Sequence, residues 1–365
     1  MKKLFVPISN RTNYSKIKPI ISILKNSLDV RLILSSSIVL DSYGKPYEDI
    51  FHDKFSVEYS IDCLLRNDSL ESMCKSFGIS IIEHSGVYKN GQPDGVLVVG
   101  DRYDMFPSVL SAKMMNIPIF HVQGGERSGS IDDTVRDLIT ICSTRHYVAT
   151  DVAYENVRKI SHTSYVYNFG CPAVEYISEL PVGDVLDIST FHKRFSDGLS
   201  INSQDDYILI VLHSNTDDKD DVDMEVVLKS VLSFNMKIIV IYPSLDSFSE
   251  KIIRTINKFK SKITCIRHMP VEDFVKLMAH CKCLVGNTSS GIREAASFGV
   301  PVVNVGNRQK NRERNTNTID SICVEEELTK MIKFQIGHGL YEKNNIYYKN
   351  NCSKNICEDI LGVLC

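Results

Sequence analysis

The sequence predicts an α/β protein made of two doubly wound parallel sheets. Short β-branched apolar runs alternate with stretches of helical length and amphipathic spacing. That alternation fades in the middle of the chain and then restarts. The length of 365 residues also exceeds what one ordinary core organises, and favours two domains of about 150–180 residues each. Strands that alternate with helices form βαβ units, and such units make parallel sheets.

Taken in order, KLFVPI (3–8) reads as the first strand. NYSKIKPIISILKN (13–26) reads as an amphipathic helix with Ile17, Ile20, Ile21, Ile23 and Leu24 as its apolar residues. VRLILSSS (30–37) is the next strand. GVLVVGD (95–101) is a continuous apolar run bounded by glycine, the form of a strand covered on both faces. A helix at 105–116, a strand at 117–123, a helix over 132–143 and a strand at RHYVAT (145–150) complete the first half. After the segment 170–184, DYILIVLH (206–213), MKIIVIYP (236–243), KCLVGN (282–287) and PVVNVG (301–306) are strands, with a helix at SSGIREAASFG (289–299). The expected division is 1–178 for an N-terminal domain and 179–345 for a C-terminal one. A helix within 346–365 is expected to pack back on the first domain.

Composition excludes several function classes. A net charge of −3 with 24% charged residues gives no concentrated basic footprint for nucleic acid. No apolar run reaches the ~18–20 residues of a membrane span. The apolar part of MKKLFVPISN is too short for a secretory signal, so a cytoplasmic protein is expected. The eleven cysteines are scattered without a CxxC pair, which reads as reduced core thiols rather than a zinc site. The acidic run TDDKDDVDME (216–225) lacks the glycine and the spacing of an EF-hand; its carboxylates suit the start of the following helix.

Open parallel sheets bind ligands beyond the carboxyl ends of their strands, so the residues placed there matter most. After Gly286 come Asn287, Thr288, Ser289, Ser290 and Gly291. Such a turn offers free backbone N–H groups, hydroxyls and the positive end of a helix, which suit a diphosphate. Glu294, one turn on, has the chemistry to accept from the hydroxyls of a ribose. An ordinary Thr/Ser cap with a carboxylate behind it reads the same segment equally well. NRQKNRER (307–314) brings Arg308 nearest the end of the next strand, although a solvated charge run reads the same way. His213 ends one strand, Asp101 and Arg102 end another, and Arg11 and Lys16 follow the first. The loop HVQGGERSGSIDD (121–133) gathers Glu126, Asp132 and Asp133 after two glycines.

Four of these segments, in order, carry a resemblance: NRTNYSK, GDRYD, NIPIFHVQGGERSGSIDD and GNTSSGIREAASFGVPVVNVGNRQ. Together they are similar to the hydrolysing UDP-N-acetylglucosamine 2-epimerases of sialic-acid and capsule pathways, over about residues 3–320. DSYGKPYEDI (41–50) is similar as well. The resemblance implies a GT-B fold, two Rossmann-like domains with the nucleotide sugar in the cleft between them. It implies conversion of UDP-GlcNAc and water to N-acetylmannosamine and UDP, without metal or cofactor, by a homodimer or homotetramer. Residue by residue, it implies acid/base roles for Asp101 and Asp132 and a sugar contact at Glu126. It places His213 near the diphosphate, Thr288 and Ser289 on phosphate, with Ser290 and Gly291 in the same turn. Glu294 is matched to ribose, Arg308 to the nucleotide and Arg11 to the N-terminal loop arginine.

Departures concentrate at the sugar end. Gln123 stands where many members carry a glutamate, Asp137 where the family has histidine, Asn13 for a common aspartate, and Val99 for a histidine; His121 and His146 are retained. The alternatives are the same reaction on a UDP- or GDP-linked 2,4-diacetamido-trideoxyhexose, a non-hydrolysing epimerase, a GT-B glycosyltransferase and a non-catalytic UDP-sugar binder.

Overall fold

The computed structural model describes residues 1–41, 44–65, 69–100, 102–163, 165–183, 196–199, 201, 205–214, 222–243 and 248–365. They form two compact units. One comprises Met1–Arg127, Ile131–Tyr176 and Tyr347–Cys365; the other comprises Ser128–Ser130 and Ile177–Ile346.

The first unit runs β1 (Lys3–Ile8), α1 (Arg11–Leu24), β2 (Asp29–Ser35), α2 (Glu48–His52), β3 (Val57–Ile61), α3 (Leu70–Gly91), β4 (Gly95–Val99), α4 (Phe106–Met114), β5 (Ile119–Val122), α5 (Asp132–Cys142), β6 (Arg145–Val148), α6 (Asp151–Ile160) and β7 (Val166–Asn168). Helix α7 (Pro172–Ser178) follows, at the junction of the two units. The sheet order is β3-β2-β1-β4-β5-β6-β7, and each of its strand pairs is parallel. Every residue of β4 and β5 is buried, as a strand covered by helices on both faces must be.

The second unit runs β8 (Ser196–Gly198), β9 (Tyr207–Val211), α8 (Met224–Leu232), β10 (Lys237–Ile241), α9 (Ser249–Lys258), β11 (Thr264–Ile266), α10 (Val271–Ala279), β12 (Cys283–Gly286), α11 (Ser289–Arg293), β13 (Val302–Val305), β14 (Thr318–Ser321) and α12 (Glu325–His338). Its order is β14-β13-β12-β9-β10-β11-β8, with the short edge strand β8 antiparallel to β11.

Among the parallel strands of each sheet the order reverses once, between β1 and β4 and between β9 and β12. Connections on the two sides of such a point leave toward opposite faces, so the strand ends part and leave a crevice.

Helix α3 was not legible from hydrophobic periodicity. Its buried stripe is mostly small and polar: Ser72, Ser76, Ser80, His84, then Val87 and Tyr88. Ser76 donates to Ser72 O at 2.8 Å and accepts from Leu65 N at 2.9 Å, so the serines settle backbone groups where leucines would ordinarily fill space. Helix α8 begins with Asp223 accepting from Glu225 N at 2.8 Å, the capping role expected of that acidic run; residues 215–221 lie outside the described residues. Among the described residues no helix is long and apolar enough to cross a membrane, and all eleven cysteines are free thiols.

The last helix, α13 (Cys352–Leu364), belongs to the first unit. Ile356, Cys357, Ile360 and Leu364 share a core with Ile17, Ile20, Ile21 and Leu24 of α1. Asn351, at the cap position, makes no side-chain cap bond. The buried Glu175 carboxylate from α7 accepts instead from Cys352 N at 2.6 Å, Ser353 N at 2.8 Å and Ser353 Oγ at 2.6 Å. A negative charge there meets the positive end of the helix. Farther along, Asp359 binds Arg145 and the Tyr147 hydroxyl, each at 2.7 Å. Glu175→Gln removes the charge and one acceptor, and is expected to cost about 1–2 kcal/mol of stability, read as an earlier urea unfolding midpoint. An unchanged midpoint would show that the capping charge contributes nothing.

Candidate active site

The second unit sets its polar groups around the reversal between β9 and β12. Gly286 ends β12 with φ +149°, and a Cβ there would lie 2.1 Å from Val211 O, so only glycine lets the two strand ends run this close. The next residue, Asn287, is fully buried. Its Oδ1 accepts from His213 N and its Nδ2 donates to His213 O, both at 2.8 Å. One amide thus replaces the ladder bonds that the parting strands give up. The Asn287 carbonyl in turn accepts from Arg308 at 3.1 Å and from Gln309 Nε2 at 3.2 Å, bringing the loop after β13 to the same place.

Thr288 caps α11 by accepting from Ser290 N at 3.3 Å, and Ser289 and Ser290 are half-buried. The helix expected over 289–299 is broken. It stops at Arg293 and resumes as a single tight turn, Ala295–Phe298. Asn345 Nδ2 donates to Arg293 O at 2.6 Å and Asn315 Nδ2 to Ile292 O at 3.0 Å. These side chains take carbonyls that the α-helical ladder would use, and Ser297 N shifts to Glu294 O at 3.1 Å. Glu294 therefore sits at the break, 9% exposed, rather than one turn into a continuous helix. Gly291 serves packing: a Cβ there would stand 3.0 Å from Val302 Cγ1 and 3.2 Å from Leu284 Cδ2. Of the basic run, Arg312 and Arg314 bond within the loop, to Gln309 Oε1 at 2.8 Å and Gln309 O at 2.6 Å. Arg308 is the one that reaches the end of β12.

The first unit repeats the arrangement between β1 and β4. Asn10 caps α1, accepting from Asn13 N at 3.0 Å. Its Nδ2 donates to Asn13 Oδ1 at 2.8 Å and to Asp104 Oδ2 at 3.5 Å. Asn13 Nδ2 reaches across to Val99 O at 3.3 Å, and Arg102 faces Asp104 at 3.3 Å. Arg11 opens α1 half-buried, while Lys16 is 9% exposed. Gly100 turns with φ +87°, and its carbonyl contacts His121 Nε2 at 3.0 Å. Asp101, the acid/base candidate that follows, lies outside the described residues.

After β5, Gln123 adopts φ +69°, with Nε2 donating to Cys171 Sγ at 3.3 Å. Gly125 has φ +78°, and a Cβ there would lie 2.2 Å from Ala153 O, so the second glycine is required by close approach of α6. Glu126 follows, 5% exposed. Asp132 and Asp133 open α5, where the helix end favours negative charge. Asp133 is bound by Arg136 at 2.6 Å. Asp137, expected at the sugar, is held by Arg127 through two bonds of 2.9 and 2.8 Å. Sequence reasoning noted Asn287 and Asp104 only as polar residues following strand ends and gave them no role of their own, and it missed Arg136, a charged residue on the buried stripe of α5.

His121 and His146 stack edge to face, ring centroids 6.1 Å apart. Burial, with the neighbouring His121 charge adding to it, lowers the His146 pKa to about 3, and burial lowers that of His84 to about 4. Both are neutral in the folded protein at neutral pH. The unfolded chain takes up protons first as pH falls below 6.5, so stability is lost from there down toward about 4 for His84 and about 3 for His146, and is untouched above 7. The expected slope is about 1.4 kcal/mol per pH unit for each histidine. Thermal unfolding between pH 7 and 5 checks this; a His84→Gln protein with the wild-type slope would contradict it.

The comparisons with known proteins agree with this architecture. The family model described as UDP-N-acetylglucosamine 2-epimerase matches residues 25–361. The UDP-N,N'-diacetylbacillosamine 2-epimerase (hydrolyzing) of Legionella pneumophila is 30% identical over 88% of this chain and 85% of its own length. The UDP-N-acetylglucosamine 2-epimerase of Neisseria meningitidis is 24% identical over 95% and 91%. The crystal structure of UDP-GlcNAc 2-epimerase from Neisseria meningitidis bound to UDP-GlcNAc superposes with a TM-score of 0.75 at 19% identity, covering 99% of this chain and 100% of that one. That likeness establishes the fold, two Rossmann-like domains of the GT-B kind.

Proposed function

Since the chain belongs to the UDP-N-acetylglucosamine 2-epimerase family, we propose that it is a hydrolysing 2-epimerase that turns UDP-GlcNAc and water into N-acetylmannosamine and UDP. The observation that carries this reading is that polar groups gather at the strand ends of both units and differ in chemistry. The second unit offers hydroxyls, a helix start and Arg308 around its strand-order reversal, groups suited to a diphosphate. The first offers carboxylates in the loop after β5 and at the start of α5, Glu126 and Asp132, suited to moving protons.

The proposed reaction uses both kinds of group. A proton on C2 of the sugar becomes removable as the C1–O bond to UDP breaks. A carboxylate base takes it, and the electron pair forms the C1–C2 double bond of a glycal-like intermediate. Water then adds its oxygen to C1, while an acid returns a proton to the opposite face of C2, inverting that centre. Asp101 and Asp132 are assigned these acid/base roles, with Glu126 on the sugar. Thr288, Ser289 and Arg308 stabilise the leaving diphosphate, Glu294 holds the ribose, and His213 lies near the phosphates, its backbone fixed by Asn287. Gln123 carries an amide, which is neither an acid nor a base at neutral pH, so its part is to orient.

A second reading changes the sugar to a 2,4-diacetamido-trideoxyhexose on UDP. It is favoured by the 30% identity to an enzyme named for diacetylbacillosamine and by the neutral Gln123 at the sugar end. UDP release from a panel holding UDP-GlcNAc and UDP-linked diacetamido sugars separates the two. Asp101→Asn and Asp132→Asn are each expected to lower turnover by at least ~100-fold, the scale of lost acid/base catalysis, with UDP affinity nearly unchanged. Wild-type turnover in either variant removes that residue from the mechanism.

A further inference from the structure

Arg136 has no part in the roles above, yet its side chain is completely buried. Burying a guanidinium costs several kcal/mol unless its partners are well placed, and here they are specific. Its NH1 donates to the backbone carbonyl of Glu126 and to Asp133 Oδ1. Glu126 ends the double-glycine turn, and Asp133 stands next to Asp132 in the first turn of α5. One guanidinium therefore ties the backbone that bears one candidate carboxylate to the helix end that bears another. A second pair, Arg127 with Asp137 at 2.8 Å, joins the next loop residue to the same helix nearer the surface.

We propose that Arg136 is a positioning residue that holds Glu126 and Asp132 in a fixed register for proton transfer. The inference rests on the acid/base reading of those carboxylates. The bare loop supplies little rigidity of its own, since Gly124 and Gly125 precede Glu126 and Gly129 follows within three residues. The helix supplies it through the guanidinium. Lysine at 136 keeps the charge, but its flexible stem does not fix a nitrogen where NH1 holds the carbonyl and the carboxylate together. A misplacement of about 1 Å at a reacting group is enough to lose ~100-fold in rate.

The test compares wild type, Arg136→Lys and Asp133→Asn as full chains, the last variant serving if the first fails to fold. Hydrogen exchange is followed over residues 124–132, alongside kcat, KM and UDP affinity. The expected result is at least ~10-fold faster exchange in that loop and a kcat at least ~30-fold lower, with KM and UDP affinity within about twofold of wild type. Wild-type exchange in the loop overturns the inference, as does a kcat loss matched by equal losses in KM and UDP binding. Failure of the enzymatic reading looks different: the wild-type protein then turns over no sugar nucleotide, and loop exchange alone decides the role of Arg136.

Discussion

Where neighbouring parallel strands send their chains to opposite faces of a sheet, the backbone groups at their ends lose their ladder partners and must find others. That constraint acts twice in this protein, between β1 and β4 and between β9 and β12, and much of the polar chemistry follows from it. In the second unit the Asn287 amide answers it, pairing with both backbone groups of His213. In the first, Asn10, Asn13 and Asp104 form a buried cluster that reaches across to Val99 O. A buried donor or acceptor left unpaired costs about 1–3 kcal/mol, so these side chains stabilise the crevices as well as line them.

The residues around each crevice then divide their labour by charge and rigidity. Gly286 and Gly125 permit backbone approaches that any Cβ would block. The carboxylates after β5 are placed by α5, whose Arg136 and Asp137 each hold a residue of the preceding loop. The buried His146 stays uncharged at neutral pH, and His121, edge to face with it, contacts the Gly100 carbonyl.

Most of the fold was legible because it is written in period and punctuation. Runs such as Gly95–Val99 and Tyr207–Val211 are continuous, β-branched and bounded by turn residues, and each is a buried strand. Helix α3 escaped because its buried face is serine and histidine, whose hydrogen bonds replace apolar periodicity. The break at Glu294 escaped because its causes, Asn315 and Asn345, lie far along the chain. At the site, residue types at strand ends were readable. Their partners were not: nothing local says that Asp137 would be held by Arg127, or that Gly291 is needed for packing against Val302.

In the proposed reaction, carboxylates of the first unit move a proton at C2 while groups of the second unit stabilise the departing UDP. Proton NMR of the purified protein with UDP-GlcNAc in D2O reads that proton transfer. The expected result is free N-acetylmannosamine carrying deuterium at C2, together with UDP. Product that keeps its original C2 proton would contradict it, as would UDP-GlcNAc and UDP-linked diacetamido sugars left intact by a protein that demonstrably binds UDP.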